Sequence, residues 1–240
     1  MPRPGRHPDA GGELRVSPGG AEEEKLNLSS SVKVEWRDEV SSLAMESISA
    51  TVDARDAYTA GHSRRVRRLA LAIGERLGLH PDELLPLGHA ALLHDVGKLT
   101  VPDEILLKPT SLTEDEWELM RGHSVAGARM IDALGFFESA VPSILHHHER
   151  YDGTGYPDGL AGEEIPLGAR IIHVADALDS MLTTRIYRPG RPARAALAEL
   201  RRETGSQFCP RCVDALERVI AAGALADLSL PASTLVAPVA

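Results

Sequence analysis

The amino-acid sequence predicts an all-α protein. Apolar residues recur at helical spacing in most segments between residues 36 and 223, and no stretch alternates apolar and polar residues as a half-buried strand would. Aromatic residues account for only 4% of the chain, so leucine, alanine, isoleucine and valine must fill the interior. The chain has 240 residues, of which 43% are hydrophobic. That is enough for a single globular domain of about seven to nine helices.

The composition divides the chain into four parts. Residues 1–34 are rich in proline, glycine, glutamate and serine, and we expect them to be disordered. Residues 35–56 have helical spacing but few large apolar side chains, which is typical of a connector helix, and a homodimer formed through it is a hypothesis. Residues 57–225 carry the regular pattern and all the candidate site residues. Residues 226–240 are expected to form a flexible tail.

Glycine, proline and capping residues divide residues 57–225 into helices. Gly78 is a stop for the first helix and Pro81 a start for the second, while Thr113 with Glu116 forms a capping box. The predicted spans are 63–77, 81–94, 113–121, 124–134, 141–149, 166–182, 191–204 and 210–223. The span 166–182 is the most apolar, and we expect it to be buried nearly all round. Four arginines of the first span are expected to form its solvated face: Arg64, Arg65, Arg67 and Arg68.

Charge and cysteine content exclude several classes of protein. The formal net charge is −9, which argues against a nucleic-acid polymer as partner. No apolar run reaches the ~18 residues of a membrane span, and no signal peptide is recognisable at the N-terminus. Cys209 and Cys212 form a Cys-x-x-Cys pair without a second pair at zinc-ribbon spacing, so we interpret them as ordinary thiols near a helix start. These features predict a cytoplasmic protein.

In the stretch from Ala90 to Lys98, two pairs of apolar residues are followed directly by a histidine and an aspartate. Burying a carboxylate is costly unless something pairs with it, so His94 and Asp95 are candidate ligands of a divalent metal. Lys98 lies four residues after His94 and three after Asp95, so we expect all three on one helix face. There Lys98 could meet a phosphate or protonate a leaving group. The alternative is a core helix whose polar end reaches solvent.

Further ligand-type residues follow in three segments. His123 opens a helix, where a histidine is more often a cap or a surface residue than a ligand. Among His146–His148, successive helical residues point about 100° apart, so only two neighbours can face one site. On the apolar span 166–182, Asp176 needs a partner such as a metal. On the same span Asp179 could pair with an arginine, and His173 is expected to be a core histidine with its hydrogen bonds satisfied.

Together these residues predict a binuclear metal site. Asp95 could bridge two metals, and a site of nitrogen and oxygen ligands without thiolate suits iron, manganese or zinc. Paired metals typically serve phosphoester hydrolysis, because one activates water while both hold the phosphoryl oxygens. The candidate ligands come from four segments of the chain and are His94, Asp95, His123, His147, His148 and Asp176.

The motifs that carry these residues resemble the HD-GYP family of cyclic di-GMP phosphodiesterases. The resemblance extends from about Leu43 to Gly223 and keeps the family's order. A His-Asp pair alone indicates only the broad HD phosphohydrolase superfamily, whereas the loop with Gly155-Tyr156-Pro157 is far more specific. The matching segments are Arg55–His62, His94–Lys98, His147–Pro157, Ile165–Arg170, Val174–Asp176 and Asp179–Arg188.

The resemblance implies an HD-type helical domain that hydrolyses cyclic di-GMP to pGpG, and whether GMP follows as a further product stays open. All six candidate ligands match metal ligands of the family. Asp95, as the bridging ligand, and Lys98, near the scissile phosphate, match catalytic positions. Tyr156, Arg185 and Arg188 match positions that hold the dinucleotide or its phosphates, together with Lys98. The expected cofactor is a pair of divalent ions, iron or manganese.

Two departures from the family pattern bear on these expectations. Members that bind a third metal carry a glutamate four residues before the position of His62, where this sequence has Tyr58. Two metals are therefore expected, and His62 is left at most a supporting or substrate-contacting role. Family members often read Phe-Asp-Pro where this chain reads Phe208-Cys209-Pro210, which we interpret as a change in a helix cap.

Two alternative functions stay open at this point. The domain could bind the dinucleotide, or a diguanylate cyclase partner through the Tyr156 loop, without turnover. It could also be a hydrolase of the same fold that acts on another nucleotide, because sequence does not fix guanine over adenine. The roles of His146 and of the two cysteines are not assigned by the motifs.

Overall fold

The computed structural model describes residues 30–55, 61–135, 137–183 and 190–223, with side chains from residue 43 onward. The chain divides into a unit Met1–Asp38 and a unit Glu39–Ala240. The first contains the start of one long helix, and the second contains the other described elements. Three residues named in the sequence analysis, Tyr58, Arg185 and Arg188, lie outside the described residues, as do residues 1–29 and the tail 226–240.

The described residues confirm the all-α prediction. They form ten α-helical segments, of which two have five residues or fewer, and they contain no β-strand. None of the helices in these ranges combines the length and apolar character that crossing a bilayer requires. The helices are α1 (Ser30–Arg55), α2 (His62–Leu77), α3 (Pro81–Leu93), α4 (Asp103–Leu106), α5 (Glu114–Arg121), α6 (His123–Asp132), α7 (Val141–Leu145), α8 (Leu167–Leu182), α9 (Ala193–Arg202) and α10 (Pro210–Ala221).

Helix α8 lies at the centre of the core. It contacts α2, α3, α7, α9 and α10, and Ile171, Ile172 and Leu178 on it are 0% exposed. Each fully buried side chain of this size contributes roughly 1.5–3 kcal/mol of hydrophobic stabilisation. The expectation of a helix buried nearly all round is therefore confirmed, and the polar residues on α8 are carried into the interior.

The predicted helix boundaries are confirmed where a local signal sets them. Gly78 follows α2 with a φ of 83°, and its N–H bonds to a carbonyl of the last turn, which a residue with a Cβ rarely achieves without strain. Thr113 caps α5 reciprocally: its Oγ1 accepts from the Glu116 N–H at 3.3 Å, and its N–H donates to the Glu116 carboxylate at 2.7 Å. These residues act locally, so sequence alone could identify them.

Several helix ends differ from the prediction by one or two residues, and three differences bear on the interpretation of the chain. Helix α1 begins at Ser30, inside the segment that we expected to be disordered. Helix α3 ends at Leu93, and a 3₁₀ turn, Val96–Thr100, follows the His-Asp pair, so His94, Asp95 and Lys98 do not share one α-helical face. Helix α7 ends at Leu145 rather than residue 149. There the Glu149 N–H closes a turn onto the carbonyl of His146 at 3.0 Å.

Gly97 allows the 3₁₀ turn that follows α3 to pass very close to α6. A Cβ on Gly97 would lie 1.9 Å from the carbonyl oxygen of His123 and 2.5 Å from the nitrogen of Gly127. The 3₁₀ turn therefore crosses α6 with backbone against backbone. This close approach brings Asp95 beside the first residue of α6.

Arg55, the last residue of α1, ties that helix to the segment after the 3₁₀ turn. Its guanidinium donates to the carbonyl oxygens of Lys98 at 2.8 Å and Val101 at 2.6 Å, and to the carboxylate of Asp103 at 2.9 Å. Guanidinium groups present several donors in a rigid plane. One side chain can therefore hold the whole turn against α1.

We predict that Gly97→Ala destabilises the protein by about 3 kcal/mol, because the added methyl group overlaps backbone atoms that cannot move independently. Urea unfolding monitored by circular dichroism measures this change. Gly88→Ala is the matched control: the nearest atom to its added Cβ is Leu71 Cδ2 at 3.4 Å. Alanine in a helix interior is favoured over glycine by roughly 0.5–1 kcal/mol. A Gly97→Ala protein as stable as the wild type would contradict the close crossing.

Candidate metal centre

The structure brings the predicted ligand residues together from four places in the fold, and His62 joins them from a fifth. Asp95 belongs to two groups whose ligand atoms lie within 4.8 Å of one another. One group joins Asp95 with His123, His147 and His148, and the other joins it with His94 and His62. Asp176 on α8 adjoins the second group, because its Oδ1 is 3.3 Å from His62 Nε2.

The cluster is buried, so the charge of Asp95 and the polar ligand atoms around it need partners. Asp95 is 6% exposed, His94 1%, His123 2% and His147 0%. Lys98 provides the direct ion pair, with Nζ 2.8 Å from Asp95 Oδ2. Buried polar groups without partners cost several kcal/mol, so the remaining ligand atoms need either hydrogen bonds or a cation.

Three of the histidines share one hydrogen-bonding device. In each, Nδ1 lies at hydrogen-bond distance from the main-chain carbonyl oxygen three residues earlier, so Nδ1 carries the proton and donates it. The other ring nitrogen, Nε2, therefore has a lone pair, which is directed into the cluster. The distances are 2.8 Å from His94 to Ala91, 2.7 Å from His123 to Met120 and 2.6 Å from His147 to Ile144. An Nε2 lone pair on a ring oriented by its other nitrogen is the usual donor to a transition metal.

The Nε2 atoms have no satisfactory partners among themselves. His123 Nε2 and His147 Nε2 are 3.3 Å apart, and with Nδ1 protonated on both rings no proton lies between them. His94 Nε2 is buried without a hydrogen-bond partner. Two facing lone pairs and an unpartnered third fit a site that takes up a cation, so the side chains present fit a metal centre.

The protonation states fit the same conclusion. Burial lowers the pKa of His123, and it lowers the pKa values of His147 and His148 well below the ordinary range. These rings are therefore neutral near pH 7, as metal ligands must be. Burial alone would raise the pKa of Asp95, but the ammonium of Lys98 and the facing histidines hold it well below its ordinary value. Asp95 is therefore ionised.

His62 joins the cluster, although the sequence analysis gave it no ligand role. It opens α2, and its Nδ1 is 2.7 Å from Asp179 Oδ2. Burial disfavours a charged ring, but the carboxylates of Asp176 and Asp179 raise the pKa of His62 to about 10, so this corner of the cluster favours positive charge. A common signal could have found it: like His123, it is the first residue of a helix after a glycine.

Two expectations about the neighbours of the cluster are confirmed, and one is wrong. Asp179, 0% exposed, pairs with an arginine as expected, with Arg65 Nε 2.6 Å from its Oδ1. Arg65 is therefore not part of the solvated face of α2. His173 is a satisfied core histidine, since its Nδ1 is 2.7 Å from the carbonyl oxygen of Glu149 and its Nε2 is 3.2 Å from Gln207 Nε2.

The glycine-rich loop is fastened beside the cluster by Glu149. This carboxylate is 2% exposed and accepts the N–H groups of Asp158 at 2.8 Å and Gly159 at 3.0 Å. Gly155 is required because a Cβ there would lie 2.3 Å from the Arg150 nitrogen. Tyr156 consequently lies over His148, with ring centroids 4.9 Å apart and planes inclined by 32°.

An all-α domain in which a buried His-Asp pair after a helix meets histidines and an aspartate from other elements has the architecture of an HD domain. A family model described as "HD domain" matches residues 46–211, which is more than half of the chain. The chain belongs to this family, and the loop with Gly155-Tyr156-Pro157 places it among the HD-GYP proteins.

Curated relatives carry the same domain in longer chains. RpfG of Xanthomonas campestris, named a cyclic di-GMP phosphodiesterase response regulator, is 42% identical over 197 residues, which are 81% of this chain and 51% of the relative. A cyclic di-GMP phosphodiesterase of Thermotoga maritima is 38% identical over 67% of this chain and 44% of its own length. The 3'3'-cGAMP-specific phosphodiesterase 3 of Vibrio cholerae is 39% identical over 70% and 37%. The chain thus spans about half, or less, of these relatives.

Solved structures support the fold. The crystal structure of V-cGAP3, a cyclic GMP-AMP phosphodiesterase of Vibrio cholerae, aligns with a TM-score of 0.63 and 22% identity over 78% of this chain and 50% of that one. Bd1817 of Bdellovibrio bacteriovorus aligns with a TM-score of 0.54 and 24% identity over 67% and 51%. Similarity at this level of identity establishes the HD fold.

We predict that Glu149→Ala loosens the glycine-rich loop, because the Asp158 and Gly159 N–H groups lose their acceptor. A hydrogen bond to a charged group contributes about 1.5–3 kcal/mol, so exchange of these two amides should accelerate about 10- to 150-fold. Hydrogen exchange measured by mass spectrometry reads this directly. The control, Glu104→Ala, removes an exposed glutamate of α4 and should leave loop exchange unchanged. Equal protection of the two amides in both variants would contradict the role of Glu149.

Proposed function

We propose that the protein is a metal-dependent phosphodiesterase that hydrolyses cyclic di-GMP to the linear dinucleotide pGpG, with GMP as the product of a second cut. The observation that carries the proposal is the buried cluster around Asp95, with ligand nitrogens unpartnered and Lys98 and Tyr156 beside it. Relatives named cyclic di-GMP phosphodiesterases at 42% and 38% identity support the substrate class.

Two divalent ions, iron or manganese, are the proposed cofactor. Asp95 would contribute to both positions. His123, His147 and His148 would complete one set of ligands, and His62, His94 and Asp176 the other, which adds His62 to the ligands expected from sequence. When bound, such metals supply an acidified water as nucleophile and neutralise the phosphoryl oxygens. The neutral His123, His147 and His148 and the ionised Asp95 described above suit these ions, whereas His62 would release its ring proton when a metal binds.

Lys98 is the proposed group for charge stabilisation and proton transfer. Its Nζ is 2.8 Å from Asp95, so its ammonium is held at the cluster, where a phosphate bound there would meet it. There it would stabilise the charge that develops on the phosphoryl group and could protonate the departing 3' oxygen. Asp95 thus has a second role besides metal binding, because its carboxylate holds the Lys98 ammonium in place.

Substrate binding is assigned to the glycine-rich loop and to two arginines. Tyr156 offers a ring face for a base and a hydroxyl for a phosphate, and it already lies against His148. Arg185 and Arg188, outside the described residues, are proposed to grip phosphate oxygens with their guanidinium groups. The diguanylate cyclase partner, the homodimer through residues 35–56, the cytoplasmic location and the four-part division of the chain stay predictions.

A second candidate substrate has a specific observation in its favour. The relative named a 3'3'-cGAMP-specific phosphodiesterase is 39% identical, close to the value for the cyclic di-GMP enzymes. The same cluster would serve either cyclic dinucleotide, because the chemistry at phosphorus is identical. Side-by-side kinetics on the two substrates decide between them, and the proposal expects the higher kcat/KM for cyclic di-GMP.

The test of the proposed function combines metal content with hydrolysis. The chain is loaded anaerobically with iron or manganese, its bound metal is counted, and the products of cyclic di-GMP are separated. We expect about two ions per chain and pGpG as the first product. Asp95→Ala should lose both metal and activity while its helical spectrum persists, because it removes the ligand common to both groups.

His146→Ala is the matched control for the metal assignment. His146 lies next to His147 in the chain but outside both ligand groups, so this variant should keep metal and activity, whereas His147→Ala should lose metal. Full activity of Asp95→Ala would refute the metal centre. Two bound metals without hydrolysis of either dinucleotide would favour a binding module instead.

We predict that Lys98→Met keeps the metal but lowers kcat by about 10²- to 10⁴-fold, the range typical of a lost general acid. Metal counting and kcat on the same preparation separate the two effects. Lys98→Arg restores the charge but is a poor proton donor, because a guanidinium does not release its proton near pH 7. Loss of metal in Lys98→Met, or an unchanged kcat, would contradict the assigned role.

A further inference from the structure

The two cysteines, which the proposed reaction does not use, begin helix α10. Cys209 is the N-cap residue, and its carbonyl oxygen accepts the Cys212 N–H at 3.1 Å, so the pair spans the first turn. The Cys212 thiol also hydrogen-bonds to the Cys209 sulfur. The two sulfurs therefore face each other across the helix start, the position of reactive Cys-x-x-Cys pairs. We propose that Cys209 and Cys212 form a redox-active dithiol that closes reversibly into an intrachain disulfide.

A buried arginine singles out Cys209 as the nucleophile. Arg170 on α8 is 7% exposed, and its Nη1 lies 3.6 Å from Cys209 Sγ. Its other ion-pair partner is Glu163, at 2.8 Å, whose side chain is 60% exposed. Arg170 Nε is buried with no hydrogen-bond partner at all. Because the counter-ion of the buried Arg170 guanidinium is exposed, a thiolate at Cys209 would be stabilised by this positive charge.

The two thiols are electrostatically unequal, as the chemistry requires. The hydrogen bond from Cys212, together with Arg170, lowers the pKa of Cys209 to about 5 even though burial opposes it. The hydrogen bond to Cys209 and burial raise the pKa of Cys212. The N-terminal end of α10 adds its positive partial charge beside Cys209. Cys209 is thus the attacking thiolate, and Cys212 is the resolving thiol that keeps its proton.

Metal binding is the less favourable use of the pair. Neither cysteine belongs to a group of three or more ligand-type side chains in the ranges that the structure describes. The guanidinium of Arg170 would also repel a cation from Cys209. Cys209 instead lies among Tyr151, Arg170 and Gln207, so that its charged neighbour is the Arg170 guanidinium.

Hydrogen peroxide serves as the oxidant of the proposed step. The Cys209 thiolate attacks one oxygen, so that a sulfur–oxygen bond forms, the oxygen–oxygen bond breaks and hydroxide leaves. Cys212 sulfur then attacks the Cys209 sulfur of this sulfenic acid. The disulfide forms, the sulfur–oxygen bond breaks, and the leaving hydroxide takes the Cys212 proton as water. Two electrons pass from the sulfurs to peroxide, and a dithiol reverses the change by exchange.

The test follows the thiols of the full folded chain rather than its enzymatic activity. After treatment with a slight excess of peroxide, free thiols are alkylated and the peptides analysed by mass spectrometry. We expect a Cys209–Cys212 linked peptide that dithiothreitol reverses. In Cys212→Ser the reaction should stop at the sulfenic acid, which dimedone traps at residue 209. In Cys209→Ser neither product should form.

Arg170→Met tests the origin of the reactivity. The pH at which Cys209 becomes half-alkylated should lie below 7 in the wild type and move towards the ordinary thiol value of about 8.5 in the variant. Glu163→Gln, which removes only the exposed partner of Arg170, should keep the low midpoint and shows whether the ion pair matters. Cysteines that resist peroxide in the folded chain but react in urea, or a Cys212→Ser protein without a dimedone adduct, would overturn the proposal.

Discussion

The arrangement of the domain depends on balancing the buried negative charge of Asp95. A carboxylate that is 6% exposed is tolerable only if positive or hydrogen-bonding groups surround it. Lys98 supplies a positive charge at 2.8 Å, whereas His94 at 3.4 Å and His123 at 3.6 Å face Asp95 with Nε2 lone pairs that a bound cation would satisfy. The apolar core could be satisfied by many helical arrangements. The requirement to bring these groups to one carboxylate selects an arrangement in which the ends of α3, α6 and α7 meet the middle of α8.

This convergence depends on short irregular segments more than on the helices themselves. Gly97 lets the 3₁₀ turn cross α6 at backbone distance, and Arg55 holds the same turn from the side of α1. Glu149 then fastens the glycine-rich loop over the cluster. Each device uses a main-chain group on one side. The position of Lys98 and of Tyr156 relative to Asp95 is therefore set through main-chain contacts, two of which depend on the side chains of Arg55 and Glu149.

The sequence predicted much of the fold and most of the cluster, and the failures have a common cause. Helices with local stop signals, such as Gly78 and the Thr113 capping box, are where periodicity placed them. The extensions past Leu93 and Leu145 were wrong because tertiary contacts, to α6 and to the loop amides, end those helices. Arg65 was assigned to solvent because its partner, Asp179, lies on a distant helix. His62 was missed for the same reason, since only packing of α2 on α8 brings it to Asp176.

The early helix ends also explain why the histidines are arranged as ligands. Ala91, Met120 and Ile144, whose carbonyls accept the Nδ1–H groups, each lie in the last turn of a helix. Carbonyls there have no further N–H within the helix to bond. If α3 or α7 were longer, helical N–H groups would bond to these carbonyls. The carbonyls would then no longer hold the proton of His94 and His147 on Nδ1. The last turn of a helix also carries a negative partial charge, so the three ends that orient the rings make the cluster between them favourable for a cation. The same three helix ends thus orient the histidine rings and make the space between the rings favourable for a cation.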